Sequence, residues 1–358
     1  MRWEQQRITP PAGDAPELPL AMPEPPRRDG GRAGLRLPEP VPIEAGTAES
    51  YAIEIHAKSI INRVPGAARV PFGWTINPYR GCAHACRYCF ARRTHTYLDL
   101  DAGHDFDSKI VVKVNAGVLL RKELASPRWA GEAIAMGTNT DPYQRAEGRY
   151  RLMRDILAAL RDRANPFSIL TKGTLILRDF DLIAQAAEVA PVSVAVSIGS
   201  VDERLWRAVE PGAPSPRRRL DVVRRFADAG IGCSVLMAPI LPGLSDAPEQ
   251  IDATVRELAQ AGAANVTPLL LHLRPGAREW FRAWLQGEHP ELVPSYARLY
   301  REGSYLPKSY QREVLALVAE AKRRHGVGSS RMPEFREVGA GAARSDAEEE
   351  GVRQLSLL

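Results

Sequence analysis

Three of the four cysteines in this chain lie close together, at Cys82, Cys86 and Cys89, with the spacing C-x3-C-x2-C. Thiolates are the usual protein ligands of iron–sulfur clusters, and three of them hold three irons of a 4Fe-4S cluster. The fourth iron then stays open to a ligand that does not come from the protein. The spacing therefore predicts a redox cluster with one free coordination position.

A structural zinc site is the alternative interpretation of the same cysteines. Zinc takes four ligands in a tetrahedron, and His84 or His95 could complete a set of three thiolates. Structural zinc sites usually have two separated pairs of ligands, whereas these cysteines fall in one short segment with no second pair elsewhere. The spacing favours the cluster, and analysis of iron and acid-labile sulfide distinguishes the two.

The composition is that of a globular protein with a mild positive charge. The chain has 358 residues, is 44% hydrophobic and has a formal net charge of +5 at pH 7. The charge is a weak indication of a nucleic-acid partner, because basic side chains bind phosphates; a scattered basic surface is the alternative. We find no apolar signal region at the start and no apolar run long enough for a membrane span. We therefore expect a cytoplasmic protein with reduced thiols and no membrane partner.

The composition and the pattern of apolar residues divide the chain into four parts. Residues 1–50 contain ten prolines and few large apolar residues, which predicts a disordered arm. Residues 51–289 alternate β-type runs with amphipathic helical patterns, as expected for βα units and a parallel sheet. Residues 290–328 predict a helical C-terminal extension, with helices at Pro290–Gly303 and Ser309–His325, and residues 329–358 predict a flexible tail.

The central part predicts an α/β fold, an open, partial (β/α)6 barrel of the TIM type. Lys109–Val114, with a helix up to Ala125, predicts an extra strand and helix between the first two units. Active sites of such barrels lie at the C-terminal ends of the strands, and the cysteine segment follows the first strand. The predicted strands are Gly73–Asn77, Glu132–Gly137, Phe167–Thr171, Val192–Ile198, Ile231–Ala238 and Asn265–Leu271. The predicted helices are Arg149–Arg163, Asp179–Val189, Arg217–Ala229 and Pro248–Ala261.

With Tyr88 just before the last cysteine, the segment resembles the radical S-adenosylmethionine (radical SAM) superfamily. The resemblance implies that the amino and carboxylate groups of S-adenosylmethionine (SAM) bind the open iron. It also implies reductive cleavage of SAM to a 5′-deoxyadenosyl radical, which abstracts hydrogen from a substrate. The cofactors carry this chemistry, so the implied partner is an electron donor of the flavodoxin or ferredoxin type.

The segments Asn77–Cys82 and Phe90–Arg92 resemble the branch that contains spore photoproduct lyase and the DNA-repair-photolyase-like proteins. The likeness extends over roughly residues 70–275. In that branch, the segment that ends the second strand lies near the SAM amino group. The resemblance therefore implies SAM contacts for Thr138, Asn139 and Asp141, whereas an Asp-Pro turn that closes the strand is the alternative.

Five further residues match positions of that branch around SAM: Tyr88, Lys172, Ser197, Glu210 and Arg219. The resemblance implies that Tyr88 offers backbone groups to the adenine. It implies that Lys172 and Ser197, near the ends of the third and fourth strands, contact SAM; a solvated lysine is the alternative. Glu210 and Arg219 match a pair that flanks the SAM ribose and carboxylate.

The cysteines outside the motif separate this chain from spore photoproduct lyase. That enzyme uses an additional cysteine as hydrogen donor, and the corresponding segment Met136–Asp141 contains none. Cys233 alternates with Val235 and Met237, which is typical of a packed core thiol. The difference argues against thymine-dimer lyase activity. We expect radical chemistry on a nucleic acid, as in DNA repair; the alternatives are a peptide or small-molecule substrate, or a non-catalytic iron–sulfur binding factor.

The last five residues, Gln354–Leu358, resemble the sliding-clamp-binding motif of bacterial replication and repair proteins, with Leu358 in place of its Phe. The resemblance implies a sliding clamp as a partner. A short motif on a flexible tether binds weakly, but a ring of several identical sites compensates through effective concentration. A frayed apolar terminus is the alternative.

Overall fold

Residues 37–43, 50–65 and 70–328 are described by a computed structural model of the chain. Most of the predicted arm 1–50, the predicted tail 329–358 and the motif Gln354–Leu358 lie outside the described residues. Within the described ranges, no helix is both long and apolar enough to cross a membrane.

The strands of the described residues form two sheets. In chain order they are β1 (Val41–Pro42), β2 (Tyr51–Ile55), β3 (Ile61–Arg63), β4 (Trp74–Ile76), β5 (Tyr79–Arg80), β6 (Lys109–Lys113), β7 (Ile134–Met136), β8 (Phe167–Thr171), β9 (Val192–Ser197), β10 (Cys233–Ile240) and β11 (Asn265–Leu270). The main sheet has the order β11-β10-β9-β8-β7-β4-β3, and the smaller sheet has the order β1-β2-β6-β5.

The main sheet is the predicted open barrel. Its strands from β4 to β11 pair in parallel, and β3 adds an antiparallel edge. Because β11 and β3 remain edges, the barrel does not close. β9 reads Val-Ser-Val-Ala-Val-Ser and is buried along nearly its whole length, as expected for a parallel strand covered on both faces. All six predicted barrel strands are present with boundaries within two residues, which confirms the fold class.

Helices cover the barrel and follow its strands. They are α1 (His104–Ser108), α2 (Ala116–Leu124), α3 (Arg145–Tyr150), α4 (Leu152–Asp162), α5 (Phe180–Val189), α6 (Glu203–Val209), α7 (Pro216–Asp228), α8 (Pro248–Gln260), α9 (Ala277–Glu288), α10 (Val293–Leu299) and α11 (Lys308–Arg324). Three 3-10 helices lie at Phe90–Leu98, Thr174–Asp179 and Pro290–Leu292. The predicted helix Arg149–Arg163 is divided between α3 and α4, because Arg151 adopts a left-handed backbone conformation.

The smaller sheet anchors the strand that leads into the cysteines. β6 is the predicted extra strand; it pairs in parallel with β2 and antiparallel with β5, outside the main sheet. Val41 pairs with Ala52, inside the segment that we expected to be disordered. Regular structure therefore begins before the predicted boundary at residue 51.

The C-terminal helices pack along the β11 side of the barrel. The Lys322 ammonium on α11 donates to Val266 O of β11 (2.8 Å), and the Tyr300 hydroxyl donates to Leu271 O (2.8 Å). The segment predicted as one helix at Pro290–Gly303 is a 3-10 turn followed by the short α10. Helix α9, which was not predicted, packs near the loop Cys82–Cys89 through the contact of Trp280 with Arg92.

Candidate active site

The loop Cys82–Cys89, which we call the cysteine loop, follows β4 and β5. It lies at the C-terminal mouth of the barrel, where the sequence predicted it. Cys82 and Cys86 are buried, Cys89 is partly exposed, and all three are free thiols. The Cys82 N–H donates to Phe106 O (2.9 Å), which ties the start of the loop to α1. Gly81 has φ of +80°, and a Cβ on it would lie 2.8 Å from the His95 ring. The turn into Cys82 therefore requires glycine.

The environment of the cysteines suits a cluster. Burial raises the pKa of Cys82 and Cys89 and raises the pKa of Cys86 to about 12, so loading with iron must displace thiol protons. In the part of the chain that the structure describes, no group of three or more His, Cys, Asp or Glu side chains is arranged to hold a single metal ion. Cluster ligands instead each bind a different iron, and three separate free thiols are such a donor set.

A buried arginine supports the loop from the side of α9. Arg92 donates to Cys86 O (3.0 Å) and to both carboxylate oxygens of Asp107 (2.9 and 3.0 Å). Its guanidinium carbon lies 4.6 Å from the ring centroid of Trp280. Arg92 belongs to the segment that resembles the lyase branch, but the sequence assigned it no role, because its partners come from other elements.

Two buried polar residues after β7 support the same loop. Gln144 accepts a hydrogen bond from the Ala83 N–H (2.9 Å) and donates to Gly81 O (3.0 Å). The Thr140 hydroxyl also donates to Gly81 O (2.6 Å). Neither residue was a predicted site residue, although both lie within three positions of Asp141. The sequence alone does not indicate which group an amide or hydroxyl side chain in a turn will bind by a hydrogen bond.

Asp141 connects β8 with the cysteine loop. Its carboxylate accepts hydrogen bonds from the Thr171 hydroxyl (2.6 Å), the Lys172 N–H (2.6 Å) and the Tyr143 N–H (2.8 Å). The His84 Nδ1 lies 3.4 Å from the same group. Burial opposes ionisation, but His84 and these hydrogen bonds lower the pKa of Asp141 to about 2. The carboxylate is thus ionised and held in one orientation; its predicted contact with SAM stays a prediction.

Five predicted site residues form one largely buried polar network around Glu210. The Glu210 carboxylate accepts hydrogen bonds from the Tyr88 hydroxyl and from the Arg219 guanidinium. Arg219 is 1% exposed and also donates to Ser197 O (2.8 Å). The Lys172 Nζ lies 4.0 Å from Glu210 Oε1. Residues that are far apart in the chain are therefore gathered at the mouth of the barrel.

The charges of this network are matched. Burial opposes ionisation of Glu210, but Arg219 and Lys172 lower its pKa. Burial also opposes the charge of Lys172, whereas Cys86 and Glu210 raise its pKa. A partly buried ammonium beside the cysteine loop is a positive charge that can bind an anionic group.

The segment after α6 brings Glu210 to Tyr88 by a close backbone approach. The Gly212 N–H donates to His84 O (3.1 Å), and the Arg87 N–H donates to Val209 O (2.9 Å). A Cβ on Gly212 would lie only 2.0 Å from Ala83 O. Any side chain at this position would separate the segment from the loop, so this glycine sets the geometry of the network.

Two spaces border these groups. A small pocket next to the network is lined by Tyr88, Trp206, Glu210 and Pro239, among others. Asn139 does not join the network; it lines a wider cleft that begins at Phe90, next to Cys89. Thr138 is partly exposed beside it. Of the three predicted contacts after β7, only Asp141 is held against the cysteine loop.

Cys233 and His95 take structural positions. Cys233 is fully buried in β10, as predicted for a core thiol, and burial raises its pKa to about 12. The His95 Nε2 lies 2.9 Å from Lys109 O, and its ring packs edge-on against Phe106 at a centroid distance of 5.2 Å. These contacts hold the cysteine loop against β6.

The family model of the radical SAM superfamily matches residues 76–258, slightly more than half of the chain. The match includes the three clustered cysteines and the whole network around Glu210. The chain therefore belongs to the radical SAM superfamily, a family that implies a 4Fe-4S cluster and SAM, which favours the cluster over the structural zinc site.

The chain is also similar to individual proteins. An uncharacterized protein of Mycobacterium tuberculosis is 51% identical over 280 residues, which are 78% of this chain and 82% of the relative. A radical SAM Nalpha-GlyT isomerase of Pseudomonas phage M6 is 23% identical over 231 residues, 63% of this chain and 45% of that protein. The structure of spore photoproduct lyase complexed with dinucleoside spore photoproduct has a TM-score of 0.56, with 16% identity over 76% of this chain and 79% of the lyase. The lyase thus shares the fold, as the sequence predicted.

Proposed function

We propose that this protein reductively cleaves SAM at a 4Fe-4S cluster bound by Cys82, Cys86 and Cys89, and that it abstracts hydrogen from a nucleic-acid substrate. The observation that carries the proposal is the network around Glu210, which packs against the cysteine loop. When bound, the cluster would supply the electron that splits SAM into methionine and the 5′-deoxyadenosyl radical. The protein binds and orients the reactants around that event.

The network offers complementary groups to each part of SAM. The Lys172 ammonium suits the SAM carboxylate, because it is a partly buried cation beside the cysteine loop. Glu210 and Arg219, fixed against each other, suit the polar edge of the ribose and the carboxylate. The small pocket lined by Tyr88 and Pro239 offers apolar side chains for contact with the adenine ring. Contacts of SAM with Thr138, Asn139, Asp141 and Ser197 belong to the same proposal.

Several features support a nucleic-acid substrate. The chain is basic, with a net charge of +5, and arginines line the cleft that begins at Phe90. The spore photoproduct lyase of the same fold binds a dinucleoside. The missing cysteine between Met136 and Asp141 argues against the hydrogen transfer of that lyase. We therefore propose a different lyase-like or transferase-like reaction on a damaged or modified nucleotide.

Reductive SAM cleavage is the first test. Protein reconstituted anaerobically with iron and sulfide should form 5′-deoxyadenosine from SAM in the presence of dithionite, and the Cys86→Ala variant should not. The Cys233→Ala variant is the matched control and should keep the activity, because Cys233 lies in the core. A binding factor without catalysis would form no 5′-deoxyadenosine in any variant.

The substrate class is tested separately. SAM cleavage should increase with damaged or modified DNA, and deuterium from a labelled oligonucleotide should appear in 5′-deoxyadenosine. Stimulation by peptides or small metabolites, with none by nucleic acid, would replace the substrate half of the proposal and leave the radical chemistry intact.

We also infer the partners of the reaction. Formation of the radical consumes an electron, so the protein needs a reductant, which we propose to be a flavodoxin or ferredoxin. Loading of a cluster needs free thiols, and cysteines stay reduced in the cytoplasm, so we propose that the protein is cytoplasmic. We propose that the last residues, Gln354–Leu358, bind the sliding clamp; deletion of these five residues should abolish binding to purified clamp, and undiminished binding would refute this role.

A further inference from the structure

The cleft that begins at Phe90 has a volume of about 410 Å³ and is separate from the network around Glu210. We call it the aromatic cleft. It is built from the 3-10 helix after the cysteines, the loop after β7 and the segments that flank α9 and α10. Six of its residues matter here: Phe90, Arg93, Tyr97, Asn139, Arg274 and Tyr305.

Two rings of the cleft are exposed, and one of them, Tyr305, is supported by His272. Tyr97 is 75% exposed and Tyr305 is 38% exposed, although both are large apolar side chains. Behind them, His272 stacks on Tyr305 at a centroid distance of 5.8 Å and lies 5.7 Å from Phe90. The His272 Nε2 is buried and has no hydrogen-bond partner among the described residues. Such a platform suits a flat ligand that offers both a π-face and polar edges.

The charges of the cleft point to an anion. Among the described residues that line it, Arg93 and Arg274 are the charged ones and none is acidic. Neither guanidinium forms an ion pair within the described residues, whereas neighbouring Arg92 is bound to Asp107. Arg274 instead donates to the Tyr305 hydroxyl (3.1 Å), so one cation is held at the edge of a ring. An aromatic face and an unpaired cation thus lie side by side.

We infer that the aromatic cleft holds one unpaired nucleotide of the substrate, a conclusion that rests on the proposed function. The base lies against the rings of Tyr97 and Tyr305, and the flanking phosphates lie at Arg93 and Arg274. An acidic peptide would match only the charges, and a neutral aromatic molecule would match only the rings. Because Phe90 follows Cys89 directly, a nucleotide in the cleft lies next to the reaction centre. A base paired inside a duplex cannot reach such a cleft, so single-stranded or opened nucleic acid is the ligand.

Binding of labelled oligonucleotides to the reconstituted protein with SAM tests the charges. Single-stranded DNA and RNA of equal length should bind more tightly than duplex DNA, and the comparison of the two single strands identifies the sugar. The Arg93→Ala/Arg274→Ala double variant should bind more weakly, with a salt dependence whose logarithmic slope is smaller by about 1.4, since each contact with a single strand contributes about 0.7. The matched control is Arg128→Ala/Arg163→Ala, at two exposed arginines that precede β7 and β8 at the opposite end of the barrel. It should leave the slope unchanged.

The rings are tested by a second pair of variants. Tyr97→Ala should weaken single-strand binding by about fivefold or more, whereas Tyr97→Phe should keep it, because stacking needs the ring and not the hydroxyl. An equal loss in both Tyr97 variants would refute stacking. Tight binding of a polyglutamate peptide that displaces the oligonucleotide, or unchanged binding by the arginine double variant, would overturn the inference.

The outcome is distinguishable from failure of the proposed function. Formation of 5′-deoxyadenosine without substrate depends on the cluster and SAM, so the arginine double variant and the two Tyr97 variants should retain it. Its absence from the wild-type protein would refute the proposed chemistry whatever the oligonucleotides do. If the wild-type protein forms 5′-deoxyadenosine but oligonucleotide binding is unchanged in all the cleft variants, only the inference about the cleft is refuted.

Discussion

The network around Glu210 and the aromatic cleft both border the cysteine loop, yet they are built in opposite ways. Arg219 is 1% exposed and is bound to Glu210 and Ser197 before any ligand arrives. Arg93 is exposed and has no acidic partner within the described residues. A site for an invariant cofactor can be preorganised by internal partners. A site for a charged substrate must leave its cations available.

The two regions should also differ in what they contribute to stability. Removing one partner of a buried ion pair leaves an uncompensated charge and is strongly destabilising, whereas exposed ion pairs contribute little. Variants of the network should therefore affect folding together with cofactor binding. Variants of the exposed residues of the cleft, Arg93 and Tyr97, should affect substrate binding with little effect on stability.

The largest expected effect is loss of the cluster. Replacing Cys82, Cys86 and Cys89 with Ala together should remove bound iron and the visible absorbance that dithionite bleaches, and with them all 5′-deoxyadenosine formation. Cys233→Ala should keep near-wild-type iron content, because this thiol packs in β10. Retention of a full cluster by the triple variant would show that other residues supply the ligands.

The next effect is on stability. Arg219→Met should lower the free energy of unfolding by about 3–5 kcal/mol, because it leaves Glu210 buried without its main counter-charge. Arg207→Met, which removes an exposed pair with Glu203, should cost less than about 0.5 kcal/mol, and Arg93→Met in the cleft should cost equally little. Denaturant titration of the reconstituted proteins measures all three. Equal effects at Arg219 and Arg93 would break the contrast between the two regions.

Lys172 should govern the affinity for SAM without affecting the cluster. Lys172→Met should raise the dissociation constant of SAM about 10- to 100-fold, the range for loss of a charged hydrogen bond. Iron content should stay unchanged, and Lys122→Met, at an exposed lysine on α2, should bind SAM normally. A normal affinity in Lys172→Met would restrict Lys172 to a structural role beside Glu210.

The smallest effect concerns the wall of the cleft. Burial and nearby Arg274 lower the pKa of His272 from 6.5 to about 4, so the unfolded chain takes up a proton that the folded protein excludes. Stability is therefore lost as the pH falls from 6.5 towards 4. The advantage of the wild-type protein over His272→Gln in free energy of unfolding should shrink by about 1 kcal/mol between pH 7.5 and 5.5. Parallel curves for the two proteins would mean that the pKa of His272 is the same in the folded and the unfolded chain, which would contradict the exclusion of a proton by burial.

Much of this architecture was readable from periodicity. The apolar runs of the barrel strands and the helical patterns between them report burial directly, so all six predicted barrel strands were found. The break at Arg151 was missed because only its backbone angle, and not its residue type, ends the helix. Helix α9 was also missed, although it carries the Trp280 ring that covers Arg92.

The candidate site divides in the same way. The spacing of Cys82, Cys86 and Cys89 predicts the cluster chemistry by itself, because ligands within one short loop stay close together in any fold that forms it. Only the tertiary structure decided which partners the supporting side chains find. These hydrogen bonds run from Arg92 to Cys86 O, from Gln144 to Gly81 O and from Tyr88 to Glu210. These partners come from separate βα units, and only packing of the barrel brings them into contact. The chain sequence determined which groups are available, and the fold determined which of them are paired and which remain open to a ligand.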